Sequence, residues 1–401
     1  MTDFPMTDLF DTLTAEAARG PADLFATLAA SLIERKRWHA LFDLRLLEAR
    51  AALGLPLTGD LGPLEATVRD ALDERSLAAC REVGWPLLDE GSVAAAWMYL
   101  RAAAEPATVA TKLRDLAARL PADSEAAEAV HGELLHIALW EGIDPALGLE
   151  LVLEAQGTCN AITAYEQAVS RLPAARQQAA AGVLVAHLHR EVLANLAADL
   201  ERRGLVKPDA PPTSLVALLA AAGGLADDPS VHVDVSHLQS VLRIARVVSD
   251  RTVIEQAWEL ASYASRLPAE ATYPGEPPFE NVGEASRLFY AALLGRDVEA
   301  AVKFFRAAAA TARLDEAGTL PADILALLLW RLGRPAEALH AVLERPADGG
   351  MPSVVQASGM LPSLVEMAAA GDALDALRKA CRDRGDEITF AATYAVRSTN
   401  P

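Results

Sequence analysis

Two histidines and a carboxylate fall together in Val231-His232-Val233-Asp234-Val235-Ser236-His237-Leu238. Imidazoles this close to a carboxylate can ligate a metal or work as an acid/base pair. The alternation of residues 231–235 predicts a short extended stretch with His232 and Asp234 on one side. Asp234 or Ser236 then caps a helix running through Leu242 and Ile244, with His237 in its first turn. The plainer alternative is a helix cap flanked by locally hydrogen-bonded histidines. Further ligands would have to come from other helices. His131 and His136 share one predicted helix, and His187 and His189 another, but neither pair has the spacing that stacks two ligands on one face. One histidine from each helix could still face inward, so His136, His187, His232 and His237 form the candidate metal set.

A second polar island is Gly157-Thr158-Cys159-Asn160-Ala161-Ile162-Thr163-Ala164-Tyr165-Glu166. Gly157 closes the preceding helix and Thr158 caps the next. Asn160, Thr163 and Glu166 then share a face suited to lining a ligand groove. Cys159, near a helix N-terminus, is a conceivable nucleophile, and Glu166 a candidate acid/base; a small buried cysteine is the bland alternative. The Pro-rich run Tyr273-Pro274-Gly275-Glu276-Pro277-Pro278-Phe279-Glu280 offers Tyr273 and Phe279 as aromatic anchors of a lid or partner-contacting loop. It could equally pack over a helix pair as an adaptor. There is no P-loop, no dinucleotide glycine fingerprint and no Gly-x-Ser-x-Gly elbow, and no cofactor is indicated.

The elements that must position these residues are helices. Hydrophobic residues make up 52% of the 401-residue chain but aromatics only 5%, so Ala, Leu and Val supply the bulk. Ala and Leu are the strongest helix formers, and strand-favouring alternation is sparse. Apolar residues at helical spacing bracket helices over 23–34, 37–53, 92–103, 124–140, 145–156 and 174–203. Three irregular stretches interrupt them: 204–212, 223–235 and 266–281. The expected organisation is a helical-hairpin array over 1–203, a loop-containing central segment over 204–281 and a C-terminal array over 282–401.

A net charge of −19 argues against nucleic-acid and anionic-membrane partners, because both are held by cationic side chains. No basic-then-apolar leader opens the sequence, and the longest weakly polar stretch, 214–226, is too short to span a bilayer. Three scattered cysteines suggest neither a disulfide framework nor a Cys-based zinc site. A cytoplasmic location is the expectation.

A repeat is visible near the end of the chain. Gly295, Gly333 and Gly371 recur at equal intervals, each after an apolar helix, and each is followed at one constant offset by alanine: Ala300, Ala338 and Ala376. Phe304 and Ala307 continue the first unit, Val342 the second and Ala380 the third, and Gly91, Ala96, Leu100 and Ala103 echo the pattern. This pattern resembles the tetratricopeptide family and its Sel1-like relatives. The resemblance covers about a third of the chain and lacks the Trp and Leu-Gly signature of the first helix. It implies an all-α fold of stacked antiparallel helix pairs forming an α-solenoid, whose groove would hold a peptide or protein partner. The other expectation is an enzyme on a helical scaffold, metal-dependent or not, using the His232/Asp234/His237 segment.

Overall fold

A computed structural model describes residues 6–121, 125–206, 214–221, 230–345 and 353–396. Every regular element among them is a helix, and no strand is present. Contacts divide the chain into two compact units, Met1–Asp144 and Pro145–Pro401. The expected boundary at residue 204 therefore falls inside a unit, because the helix before that loop packs against the helices after it. Parts of two of the expected loops, residues 207–212 and 223–229, lie outside the described residues.

The first unit contains α1 (Met6–Ala17), α2 (Pro21–Glu34), α3 (Trp38–Ala52), α4 (Ala66–Asp89), α5 (Val93–Ala103), α6 (Pro106–Ala117) and α7 (Glu125–Leu135). A π turn, His136–Trp140, prolongs α7. Helices α1 to α5 pack in succession, and α7 packs on α5 and α6. Short connections leave neighbouring helices little choice but to fold back on one another.

The second unit opens with α8 (Pro145–Ala164), broken at Gly157, and the long α9 (Ala174–Arg202). Against α9 lie α8, α10 (Leu215–Ala221), α11 (Val235–Ile244) and α12 (Arg251–Ala264). Apolar positions on α9, among them Leu184, Leu188, Val192 and Leu196, are almost fully enclosed. The chain continues through α13 (Val282–Leu293), α14 (Val298–Thr311), the single turn α15 (Leu314–Ala317), α16 (Leu320–Arg331) and α17 (Pro335–Leu343). It closes with the short α18 (Val354–Ala357), α19 (Leu364–Ala370), α20 (Leu374–Arg384) and α21 (Glu387–Ala395). Successive packing runs α12 on α13, α13 on α14, α14 on α16, α16 on α17, α17 on α19, α19 on α20 and α20 on α21.

Helix α16 is apolar all round, and its residues from Asp323 to Leu329 are all buried, with α13, α14, α17 and α18 packed on it. A helix of that composition must be enclosed on every side. Its one interior charge, Asp323, is neutralised by Arg345 at 2.7 Å and accepts from Thr319 at 2.8 Å.

The repeat glycines occupy inter-helix turns, yet the register after them differs from the sequence pattern. At Gly333, φ is +72°, and the next amide, Arg334, reaches back to the Leu329 carbonyl at 2.9 Å. That left-handed closure ties up the carbonyls at the end of α16. Gly91 and Gly295 make the same closure. In the third turn the left-handed residue is Asp372 (φ +50°), and Gly371 is needed for space instead. A Cβ on Gly371 would lie 2.6 Å from the Ala336 amide nitrogen at the start of α17.

Ala338 is fully buried, as its spacing predicts, whereas Ala300 and Ala376 are exposed. Their places are taken by Ala301 with Phe305, and by Leu377 with Cys381. The physical reason is an added residue in each turn. Asp297, also left-handed at φ +50°, lengthens the first connection, and Asp372 shifts the closure of the third.

Candidate functional site

The polar segment around His232 meets two helices distant in sequence. His232 has a side chain only 6% exposed, with Nε2 3.2 Å from Asp199 Oδ2 on α9 and Nδ1 3.1 Å from Tyr263 Oη on α12. Its backbone amide donates to the same Tyr263 oxygen at 2.9 Å, and its carbonyl accepts from Asn195 at 2.9 Å. Asp199 also pairs with Arg203 at 2.6 Å and Arg202 at 3.0 Å. The hydrogen bond from His232, reinforced by the Arg203 charge, holds the Asp199 carboxyl below the usual range against the opposing effect of burial. One proton arrangement satisfies the group: Nε2–H donates to Asp199 while Nδ1 accepts from the phenol.

A second buried cluster joins α9 to α12 nearer the start of α9. His189 Nε2 lies 2.8 Å from Glu259 Oε2, Ser214 donates to Oε1 at 2.5 Å, and the Leu215 amide donates to Oε2 at 2.9 Å. Burial alone would push Glu259 up. The bonds from His189, Ser214 and Leu215 outweigh it and leave the carboxyl below its ordinary value. In a nucleophilic triad the serine bonds to the imidazole and the carboxylate lies behind it. Here the carboxylate sits between serine and imidazole and also takes an amide at the start of α10. It ties three helices together rather than activating a nucleophile.

The other candidates separate. Asp234 caps α11, accepting from the Ser236 amide at 2.8 Å, the Ser236 hydroxyl at 2.6 Å and the His237 amide at 3.4 Å. Those bonds, led by the Ser236 hydroxyl, lower its pKa. His187 Nε2 contacts Thr158 at 3.1 Å and Glu191 at 3.8 Å. On α9 it stands some three turns from Asp199, the residue that holds His232, about 18 Å along the axis. His136 belongs to the first unit, 3.8 Å from Glu141. Within the second unit, His187, His232 and His237 share no common contact. Among the described residues no group of three or more His, Cys, Asp or Glu side chains is placed to hold a metal ion.

Cys159 is exposed, not the small buried cysteine of the bland reading. Asn160, Thr163 and Glu166 share its exposed face, as their spacing predicts. Asn160 bonds back to the Gln156 carbonyl at 2.9 Å and Thr163 to the Cys159 carbonyl at 3.0 Å. Tyr273 is 62% exposed, and its carbonyl accepts from Gln239. Phe279 is not a surface anchor: it is 5% exposed, with ring centroids 5.5 Å from Phe305 and 6.3 Å from Phe304. The Pro-rich loop packs onto α14 through this ring.

Sequence spacing missed Asp199, Tyr263 and Glu259. The available signal was a carboxylate on the otherwise apolar face of each long helix, which calls for a buried partner. A concave feature of the second unit was also missed. A groove of about 590 Å³ runs over α17, floored by Leu325, Leu329 and Leu339, with Ala336 and Ala376 among the small side chains lining it. Its rim side chains already have partners, Arg306 with Glu337 at 2.8 Å and His340 with Glu344 at 3.0 Å.

No protein-family model, no curated protein and no solved structure matches this chain. No helix among the described residues is long and apolar enough to cross a membrane.

Proposed function

We propose that this protein is a non-catalytic, tetratricopeptide-like interaction protein whose groove over α17 receives an apolar stretch of a peptide or protein partner. The observation that carries this reading is the groove itself: leucines form its floor, and exposed alanines leave room above them. A mouth of small exposed side chains over buried leucines, rimmed by groups that already have partners, gives a partner a place to bury apolar side chains without stranding a charge. The helix pairs on either side of α17 suit such a surface, as stacked arrays expose extended faces. The histidine clusters support the same reading, since their polar atoms are spent on one another and on the backbone.

Selection of peptides from a random library against the full chain tests it. Selected peptides should share an apolar anchor and lose binding to Ala376→Trp, which fills the groove from an exposed position. Retention of affinity by that variant, with its helicity unchanged, would place the binding surface elsewhere and overturn the reading.

A further inference from the structure

Lysines are scarce on this chain, and two of them flank the groove over α17. There are five in the whole sequence, against a net charge of −19. Lys36 pairs with Glu90 at 3.0 Å and Lys112 with Asp89 at 3.3 Å, and Lys207 lies outside the described residues. Lys303 on α14 and Lys379 on α20 are exposed, and among the described residues neither has a carboxylate within 4.0 Å.

These two lysines hold equivalent places. Each stands two residues after a fully enclosed side chain of its helix, Ala301 in α14 and Leu377 in α20, and His340 stands at the same offset from Ala338 in α17. The stacking of successive helix pairs therefore sets Lys303, His340 and Lys379 in one row across three helices. Packed helices stand about 10 Å apart, which makes the row about 20 Å long. His340 and Ala376 line the groove, and Lys379 is one turn beyond Ala376 on α20. At the other end Arg306 lines both the groove and an adjoining hollow of about 330 Å³ over α14, whose wall includes Lys303. The carboxylates nearby are held by their own partners: Glu299 by Arg334, Glu337 by Arg306, Asp375 by Arg378 and Glu344 by His340. The ammonium groups at the two ends of the row are left without a counter-charge.

We infer that the segment received by this groove is acidic: it lies across α14, α17 and α20, buries an apolar anchor over α17, and sets one carboxylate on Lys303 and another on Lys379. The inference rests on the groove reading above and adds the charge of the partner. Charge complementarity at the ends of an apolar site fixes which partner docks and in what register more than it adds affinity. A basic segment would meet like charge at both ends and be rejected.

Three labelled peptides that share a leucine core and differ only in their flanks, all Glu, all Gln or all Lys, test this against the full chain. The Glu-flanked peptide should bind most tightly and the Lys-flanked one least, and added salt should erase the order by screening it. Lys303→Gln and Lys379→Gln should each weaken the Glu-flanked peptide about two- to fivefold, the span for an exposed charge pair, and leave the Gln-flanked one unchanged. Ala376→Trp should remove all three. Equal affinities that are all lost in Ala376→Trp overturn the acidic partner and leave the groove reading standing, as does a preference for Glu that survives the double lysine variant. Binding by none of the three, or binding that survives Ala376→Trp, overturns both.

Discussion

The buried carboxylates decide how this chain responds to acid. Asp199 and Glu259 both sit below their ordinary pKa values in the fold. Such a group contributes stability that is complete above its unfolded value, about 4 for these side chains, and is lost as pH falls through the lower folded value. The midpoint of thermal unfolding should therefore fall below about pH 4, and Asp199→Asn should flatten that limb. At neutral pH, Glu259→Ala leaves His189, Ser214 and the Leu215 amide without their shared acceptor, at a cost of about 3 kcal/mol in denaturant unfolding. Ala338→Leu should cost about 1–3 kcal/mol by overpacking, and Ala301→Leu likewise, whereas the exposed Ala300→Leu should be near neutral. The cap at Asp234 was legible in the sequence because its partners, Ser236 and His237, are neighbours in the chain. The role of His232 was not, since Asp199 and Tyr263 reach it only through the packing of α9 and α12.

At the scale of elements, the helix pairs could be read from apolar spacing and turn glycines, and the three repeat turns lie where those glycines stand. The register could not be read, because it depends on whether an aspartate takes a left-handed conformation after the glycine. Asp297 and Asp372 do so, and each moves the buried row by one residue. The same difference separates the two roles of glycine. Nothing lies near a Cβ built on Gly333, so Gly333→Ala costs only its left-handed conformation, about 1 kcal/mol, and Gly333→Asn costs less. Gly371→Ala meets the backbone at Ala336 and should cost about 1–3 kcal/mol, with Asn no better than Ala. Denaturant midpoints of the four variants check this; relief by Asn at Gly371 would show that backbone conformation, not space, governs that turn.

For the molecule as a whole, composition sufficed for the all-helical class, because an Ala- and Leu-rich, strand-poor chain has few other ways to bury itself. The unit boundary at Asp144 and the groove over α17 escaped the sequence, since both arise from which helices meet rather than from any local signal. Helix α16 carries a consequence of its own. In an open array each pair leans only on its neighbours, so amide protons exchange piecemeal from the ends inward. Here α13, α14, α17 and α18 surround α16, while Arg331 at its end holds the carbonyls of Arg246 and Val248. Its amides should be among the last to take up deuterium, and their protection should report the opening of the whole second unit. The molecule would then keep time by one clock at its centre, and partner binding at the groove, whose floor includes Leu325 and Leu329 of α16, should slow that clock.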